Sequence, residues 1–277
     1  GSTDAGPALI AAWWRGAEWP GSELIQVSVP GAYPGGARNA GIARATAPWI
    51  AFLDAGVIPE PPWLEQLLLC AGNGHGALGL CTFSATGAFA CAVCALGYGS
   101  GAAHPVLPAS LFAQADVRAA GRFRADLRAG EDRLWLAAFT RAAGPLPTCP
   151  QARARYTGFP VTMGRFIRKT FVYARHAAAA GLQLGTTTVL AVIALAIAGA
   201  TAWSPLLGGL TFATYLFARG VLDPAQRSGA AGWWKPQLAA LLWAILLAPV
   251  GDLVRLVGAL AGLVAPPPVR DQERATE

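Results

Sequence analysis

Charged side chains are scarce in this chain, because Asp, Glu, Lys and Arg make up only 13% of its 277 residues. Soluble domains usually carry roughly 25% charged residues. Hydrophobic residues reach 54%, and the mean hydropathy is +0.43. This composition argues against a protein that is soluble throughout, although the length suffices for one large domain or two small ones.

Charge is absent altogether over residues 177–218, a run of 42 residues. Such a run is too long for one buried helix and suits two membrane crossings of about 20 residues each. Ser204 and Pro205 supply the turn between the two crossings. The alternative is a very apolar helical hairpin in a soluble protein.

A third apolar run covers residues 236–251 and would rise about 24 Å as a helix. This is short of a bilayer core of roughly 30 Å unless Asp252 and Arg255 also enter, paired on one helical face. We favour a third crossing over the alternative, a shallow insertion followed by an interfacial helix over residues 252–264. The tail, residues 266–277, is Pro-rich and then polar, and it is predicted to be disordered.

Acidic residues are missing between Gln151 and His176, where bases and apolar residues are interspersed over residues 160–175. This pattern is typical of an interfacial amphipathic helix. The bases before the first crossing are Arg153, Arg155, Arg165, Arg168, Lys169 and Arg175, and those after the second are Arg219, Arg227 and Lys235. The positive-inside rule therefore places both flanks in the cytoplasm. A pI near 9.4 also suits nucleic-acid binding, which we disfavour because the bases cluster beside a membrane span.

Cysteine and histidine are few, at five and three residues. Cys91 and Cys94 form a C-x-x-C pair, but no second pair or nearby histidine completes a zinc site. The odd number of cysteines in a cytoplasmic domain predicts free buried thiols. The histidines match no catalytic triad or metal spacing.

Hydrophobic patterns divide the part before the first crossing into short helices and strands, which predicts an α/β domain. Helices are predicted over residues 5–15, with Asp4 as N-cap, and over residues 37–46, 61–70, 111–119 and 134–142. Strands are predicted over residues 23–29, 49–53, 77–83 and 89–96.

The apolar run Trp49–Leu53 ends at a single carboxylate, Asp54, and Gly56 and Pro59 break the chain just after it. Such a run is typical of a strand buried on both faces of a parallel sheet. Ligands of these sheets bind at the carboxyl ends of the strands, so Asp54 can face a nucleotide sugar or its metal ion. The alternative is an aspartate that stabilises a turn.

A pair of acids, Glu131 and Asp132, precedes the predicted helix over residues 134–142. Carboxylates at a helix N-terminus are stabilised by the helix dipole, so a capping pair is one interpretation. A carboxylate at a pocket mouth can also take a proton from an acceptor hydroxyl, which is the chemistry of a general base.

Several motifs together resemble the family 2 glycosyltransferases of GT-A fold, which transfer a sugar from a nucleotide-diphosphate donor. The family pattern runs A-R-N-x-G, an apolar strand, D-x-D, then a Pro and a W-L pair, with G-E-D further on. The matching segments are Ala37-Arg38-Asn39-Ala40-Gly41, Ile50-Ala51-Phe52-Leu53, Asp54-Ala55-Gly56, Pro62-Trp63-Leu64 and Gly130-Glu131-Asp132. The first residues, Gly1-Ser2-Thr3-Asp4, resemble the end of the family's D-D-G-S-T-D motif.

This resemblance implies a Rossmann-like GT-A catalytic domain over residues 1–158 that lacks its first strand–helix–strand unit. The alternative for the start of the chain is that Gly1 and Ser2 are a cloning remnant. An interfacial helix over residues 159–180 and a transmembrane region over residues 181–265, with two or three helices, would hold the domain at the cytoplasmic face of the cell membrane.

The resemblance also assigns roles to individual residues. Asp132 is the first choice for the general base, and Glu131 is the second. Donor-side residues are Asp54, Arg38, Asn39 and Asp4. Acceptor-side residues are Ser110, Arg128 and Trp135. For Trp135 a place in the core is the alternative, and Arg128 is expected to face either a phosphate or Glu131. Asp54 is the expected ligand for Mg²⁺ or Mn²⁺, but Gly56 stands where the family has its usual metal-binding acid.

The function implied is that of a membrane-bound, inverting, hexosyltransferase-like glycosyltransferase of the cell envelope, with a lipid-linked or glycan acceptor and no nucleic-acid partner. A chain without the first unit would be inactive. The alternative is a non-catalytic, transferase-like membrane scaffold. A lipid-modifying or transport-associated protein is disfavoured, because the apolar segments carry no acid before Asp252.

Overall fold

The computed structural model describes residues 4–16, 18 and 20–266. The motif remnant Gly1-Ser2-Thr3 and the predicted disordered tail from residue 267 onward lie outside the described residues. The described chain consists of a mixed α/β part, which runs to residue 156, and a helical part that follows it.

Helices and strands alternate irregularly in the α/β part, which confirms the predicted fold class. The helices are α1 (Gly6–Arg15), α2 (Pro34–Arg44), α3 (Trp63–Ala71), α4 (Ala88–Gly97), α5 (Gln114–Ala119) and α6 (Glu131–Ala143). The strands are β1 (Trp49–Leu53), β2 (Val57–Pro59), β3 (Gly76–Phe83), β4 (Ala103–Pro105), β5 (Ala109–Ala113) and β6 (Thr148–Tyr156).

The strands form one sheet in the order β1-β5-β3-β6-β2, with β4 attached to β3. Only the β3–β6 pairing is parallel, and β1 pairs antiparallel with β5 from Trp49 opposite Ala113 to Leu53 opposite Ala109. The prediction that β1 is buried on both faces of a parallel sheet is therefore wrong. Ile50 and Phe52 point into the core, whereas Leu53 is 44% exposed, because β1 lies at the end of the strand order and only one of its faces is covered.

Three other predictions of secondary structure fail for identifiable reasons. Residues 23–29 form no strand, and none of the described strands pairs with them. Residues 89–96 lie in α4, because an alanine-rich run has high helix propensity and its apolar residues suit a helix that is buried on most sides. Residues 111–119 are split between β5 and α5, since pairing with β1 and β3 keeps Leu111 and Phe112 extended.

An aromatic cluster forms the core beneath the sheet at the end where β1 lies. Phe52, Phe112, Phe123, Trp135 and Phe139 pack together with ring centroids 4.4–5.8 Å apart in the contacting pairs. Aromatic pairs at such distances are stabilising beyond the area they bury. The cluster fixes α6 against the sheet and so determines where the first turn of α6 lies.

The helical part contains α7 (Met163–Ala179), α8 (Leu184–Trp203), α9 (Pro205–Phe217), α10 (Asp223–Ser228) and α11 (Leu238–Val264), with a π-helical turn over Ala218–Leu222. Three helical stretches, Leu184–Trp203, Pro205–Ser228 and Leu238–Val264, are long and apolar enough to cross a membrane. The predicted turn at Ser204 and Pro205 is confirmed. The third run is one continuous helix of 27 residues, rather than a short insertion followed by a separate interfacial helix.

Glycines on α11 allow α7 to lie directly against it. A Cβ atom on Gly258 would approach the carbonyl oxygen of Phe171 to 2.8 Å, and Gly262 is similarly close to the backbone of Arg175. Near the start of α11, Ala240, Ala244 and Leu247 are buried in the same core cluster as the residues of α4. The apolar helix α11 is therefore packed against both α7 and the α/β part.

Asp252 is the centre of an ion cluster inside the helical part. Its carboxylate accepts hydrogen bonds from Arg219 at 2.8 Å for both Nε and Nη2, from Arg255 at 2.7 Å and from the Tyr215 hydroxyl at 3.0 Å. The predicted pairing of Asp252 with Arg255 is confirmed. Arg219 also donates to Asp223, one turn farther along the chain.

The prediction that all five cysteines are free thiols is wrong for two of them. Cys70, at the end of α3, and Cys149, near the start of β6, form a disulfide with their Cα atoms 6.0 Å apart. The two residues are 79 positions apart in the sequence, so only the fold brings them together. Cys81, Cys91 and Cys94 are free, and burial raises the pKa of all three thiols.

Candidate active site

Arg38 brings two of the predicted site carboxylates together. Helix α2 presents Arg38, whose Nη2 donates to Asp54 Oδ1 at 2.7 Å and whose Nη1 donates to Glu131 Oε1 at 2.8 Å. The arginine and Glu131 side chains are 10% and 6% exposed, whereas Asp54 is 45% exposed. The site therefore has a buried half, formed by Arg38 and Glu131, and an accessible carboxylate at the end of β1.

The charges in this group depend on one another. Burial lowers the pKa of Arg38, but the interactions with Asp54 and Glu131 outweigh burial and raise it overall. For Glu131 burial is the largest cause and raises the pKa of the carboxyl, with Asp132 adding to the rise and the Arg38 hydrogen bond opposing it. Arg38 therefore stays cationic and holds Glu131 in place as a buried partner.

Asn39 keeps α2 in register with the segment before α6. Its Nδ2 donates to the carbonyl oxygen of Phe123, and its Oδ1 accepts from the Phe123 backbone N–H, both at 2.9 Å. The guanidinium of Arg38 lies 5.5 Å from the centroid of the Phe123 ring. Asn39 was predicted on the donor side, and in the structure its amide is buried and engaged with the backbone of Phe123.

Asp132 lies beside this group in the first turn of α6. Gly130, with φ 87°, starts the helix, and Asp132 Oδ1 accepts the backbone N–H of Arg133 at 2.8 Å. No cation of the described chain forms an ion pair with Asp132, in contrast to Asp54 and Glu131. Asp132 is half-buried, so it is a carboxylate that an incoming hydroxyl can reach.

A basic cavity of about 580 Å³ adjoins the carboxylates, and we call it the α7 cavity. Its lining residues are Tyr33, Arg128, Gly158, Phe159, Pro160, Arg165, Arg168, Lys169, Val172 and Tyr173. Tyr173, which lines the cavity, lies within electrostatic range of the acids. Burial is the main cause that raises the pKa of the Tyr173 hydroxyl, and Arg128 opposes the rise while Glu131, Asp54 and Asp132 add to it.

The structure places two of the residues that were predicted on the acceptor side in the core. Ser110 is 0% exposed, and its hydroxyl donates to the carbonyl of Val106 at 2.6 Å and accepts the N–H of Gly79 at 3.1 Å. Trp135 is 3% exposed, stacks on Phe123 and donates Nε1–H to the carbonyl of Gly121 at 2.9 Å. Both side chains are fully used in packing and backbone hydrogen bonds.

The remaining predicted residues lie at the surface. Asp4 accepts the backbone N–H of Gly6 at 3.0 Å at the start of α1, a helix without a buried residue. Arg128 lines the α7 cavity, with its guanidinium 5.9 Å from the centroid of the Tyr33 ring. Of the two orientations predicted for Arg128, the one toward a phosphate fits this position.

Sequence reasoning assigned the bases of α7 to the membrane surface and did not identify a cavity there. Arg165, Arg168, Lys169 and Val172 line the cavity together because residues three and four apart share one face of a helix. That spacing is readable in the sequence. The opposite wall of the cavity, formed by Tyr33 and Arg128, comes from distant segments that no local pattern connects with α7.

The side chains present do not fit a divalent metal ion held by the protein. Among the described residues, no group of three His, Cys, Asp or Glu side chains could hold a metal ion. One oxygen of Asp54 is engaged by Arg38, Gly56 offers no ligand, and the positive charge between Asp54 and Glu131 is the guanidinium itself. The predicted metal role of Asp54 thus lacks the further carboxylate ligands that Mg²⁺ or Mn²⁺ sites use.

Comparison with known proteins assigns the part of the chain that carries Arg38, Asn39 and Asp54. The model of the family described as Glycosyl transferase family 2 matches residues 1–84, which end just after β3. No curated protein matches the chain. The family predicted from the motifs is therefore confirmed over residues 1–84, which are similar to glycosyl transferase family 2.

Proposed function

We propose that the protein is a membrane-attached glycosyltransferase that transfers a sugar from a nucleotide-diphosphate donor to a lipid-linked or glycan acceptor, with inversion at the anomeric carbon. The family match supports glycosyl transfer in general terms. The observation that carries the finer proposal is the grouping of Arg38, Asp54 and Glu131 beside an unpaired Asp132.

In the proposed reaction Asp132 acts as general base. Its carboxylate takes the proton of the acceptor hydroxyl while that oxygen forms a bond to the anomeric carbon. The bond between the anomeric carbon and the donor phosphate oxygen breaks, and the nucleoside diphosphate leaves with its electron pair. Attack on the face opposite the leaving group inverts the configuration.

Arg38 and Asp54 would form the donor side of this reaction. The guanidinium is fixed by two carboxylates and needs no rearrangement to place positive charge near a leaving diphosphate. Glu131 is too buried to meet an acceptor and is held by Arg38, so we assign it a positioning role rather than that of the base.

We place the site at the cytoplasmic face of the cell membrane. The three long apolar helices suit membrane association, and the bases of α7 and of the segment from Arg219 to Lys235 flank the first two of them. Basic flanks stay predominantly on the cytoplasmic side. Because α7 packs against α11, this arrangement holds the site close to the membrane surface.

The second candidate is a transferase-like scaffold without catalysis. Gly56 in place of an acid, together with a carboxylate set that does not fit a metal ion, favours this alternative. A scaffold needs no donor site, so binding of a nucleoside diphosphate to the full-length protein separates the two candidates.

The deciding experiment measures nucleoside-diphosphate release by the full-length protein in membranes, with common nucleotide sugars and membrane extract as acceptor. Asp132→Asn should lower acceptor-dependent release about 100-fold or more, because a general base is worth roughly that much, while donor binding persists. Asp116→Asn is the matched control, since Asp116 pairs with His75 at 2.9 Å outside this group. Wild-type protein that neither binds nor turns over any donor would identify a scaffold.

A further inference from the structure

The α7 cavity contains four cationic side chains and no carboxylate in its lining. Arg128, Arg165, Arg168 and Lys169 form no ion pair with any acid of the described residues. Two of them lie over aromatic rings instead: Arg128 over Tyr33, and Lys169 at 5.6 Å from the centroid of Tyr173. None of the four cations of the cavity therefore has an ion-pair partner among the described acids.

The pKa of Lys169 reflects the clustering of positive charges in the cavity. Burial lowers the pKa of its ammonium group, and the nearby charge of Arg128 lowers it further. An anion bound in the cavity would oppose both effects, because a nearby negative charge favours the protonated ammonium group. Phosphate suits the site best, because arginine side chains offer forked donors to its oxygens and lysine adds a point charge.

The position of the cavity indicates where the phosphate comes from. One wall is α7, which contacts the backbone of the membrane-type helix α11 at Gly258 and Gly262. Apolar side chains are exposed near the start of α7, with Met163 at 36% and Ile167 at 38%. A ligand that reaches this cavity from the bilayer would place its acyl chains along these residues and its headgroup among the bases.

We propose that the α7 cavity binds the phosphate group of an anionic membrane lipid. The assignment rests on the cavity, its charge and its contact with α11, and it does not depend on sugar transfer. It differs from general attraction of a basic surface to the membrane, because the four cations line one cavity together with Tyr33 and Tyr173.

The test compares binding of short-chain phosphatidic acid, short-chain phosphatidylcholine and inorganic phosphate to the detergent-solubilised full chain, without any sugar donor. We expect phosphatidic acid to bind at least tenfold more tightly than either of the others. Arg168→Gln should weaken phosphatidic acid binding about tenfold or more, since a hydrogen bond to a charged group is worth at least that factor.

Two further variants make the outcome decisive. Arg141→Gln removes the same charge from the exposed end of α6 and should leave the affinity unchanged. Lys169→Arg keeps the charge and should retain binding. Retained binding in this variant would show that a substitution in the cavity does not by itself unfold the protein.

Three results would overturn the proposal. Equal affinity for inorganic phosphate and phosphatidic acid would identify a site for free phosphate, and equal affinity for both lipids would show that the net negative charge of the headgroup has no role. Equal losses in Arg168→Gln and Arg141→Gln would reduce the effect to overall surface charge. Because no donor is present, none of these results bears on whether the protein transfers sugar.

Discussion

Arg38 holds two carboxylates that lie 16 and 93 residues away in the sequence. Its partner Glu131 is almost completely buried. Removing one member of a buried ion pair leaves the other without compensation, which is more costly than removing both. The strength of this contact can therefore be measured by deleting its members one at a time and together.

We expect Arg38→Met to lower the free energy of unfolding by about 3–5 kcal/mol, because Glu131 would remain as an unpaired buried charge. The double variant Arg38→Met/Glu131→Gln should be more stable than Arg38→Met alone. Chemical denaturation of the purified protein in detergent checks both values. Arg44→Met, at the exposed end of the same helix, is the control, and strictly additive losses would contradict the bridge.

The sequence predicts Arg38, Asp54, Glu131 and Asp132 as site residues, but it does not show that one guanidinium joins two of the acids. Such contacts depend on side-chain directions that only the packed core determines. Ser110 and Trp135 were assigned to the acceptor side for a related reason. Residue type does not reveal that a hydroxyl or an indole has its partners in the protein backbone.

Helix α7 depends on the glycines of α11 for its position. The carbonyl oxygen of Phe171 occupies the space that a Cβ on Gly258 would need, and Ala174 lies 3.1 Å from the same point. Small residues permit this close approach of two helix backbones. The glycine at position 258 therefore allows a distance between α7 and α11 that a larger residue would not permit.

We expect Gly258→Ala to destabilise the protein by about 1–3 kcal/mol, because the added methyl group pushes α7 away from α11. Thermal unfolding in detergent should show a lower midpoint. Gly199→Ala in α8 is the matched control, because a Cβ there meets nothing within 4 Å. A midpoint that is unchanged in both variants would mean that the two helices separate without cost.

At the level of elements, the apolar helices were predictable and several short elements were not. Long runs without charge predict α8, α9 and α11, since few other structures can bury such segments. The run in α4 is apolar on every side, so its pattern has no period that separates helix from strand. Strand β5 exists because it pairs with β1 and β3, which are distant in sequence.

The molecule as a whole should present the turn at Ser204 and the segment between α10 and α11 on opposite sides of the membrane. We expect a membrane-impermeant maleimide to label Ser204→Cys on intact cells and to spare Ala231→Cys until the cells are opened. The unmodified chain gives the background labelling from its own cysteines. The reverse labelling pattern would place the α/β part outside the cytoplasm.

The same labelling experiment bears on the Cys70–Cys149 disulfide. Disulfides are typical of oxidising compartments, whereas the basic flanks of the helices predict a cytoplasmic α/β part. A cytoplasmic location implies that the two sulfurs are kept as thiols in growing cells. If the α/β part lies outside the cytoplasm, the disulfide should persist. The labelled positions Ser204 and Ala231 should then exchange sides of the membrane.

The ion cluster around Asp252 has a consequence for biogenesis. A lone aspartate near the middle of a helix opposes insertion through the translocon by about 2.5–3.5 kcal/mol. Arg219 is synthesised before Asp252 and carries the opposite charge that Asp252 needs. We expect the segment with Arg219 to wait at the translocon until α11 emerges, because pairing lowers the cost of inserting both charges. The two would then enter the bilayer as one neutralised pair.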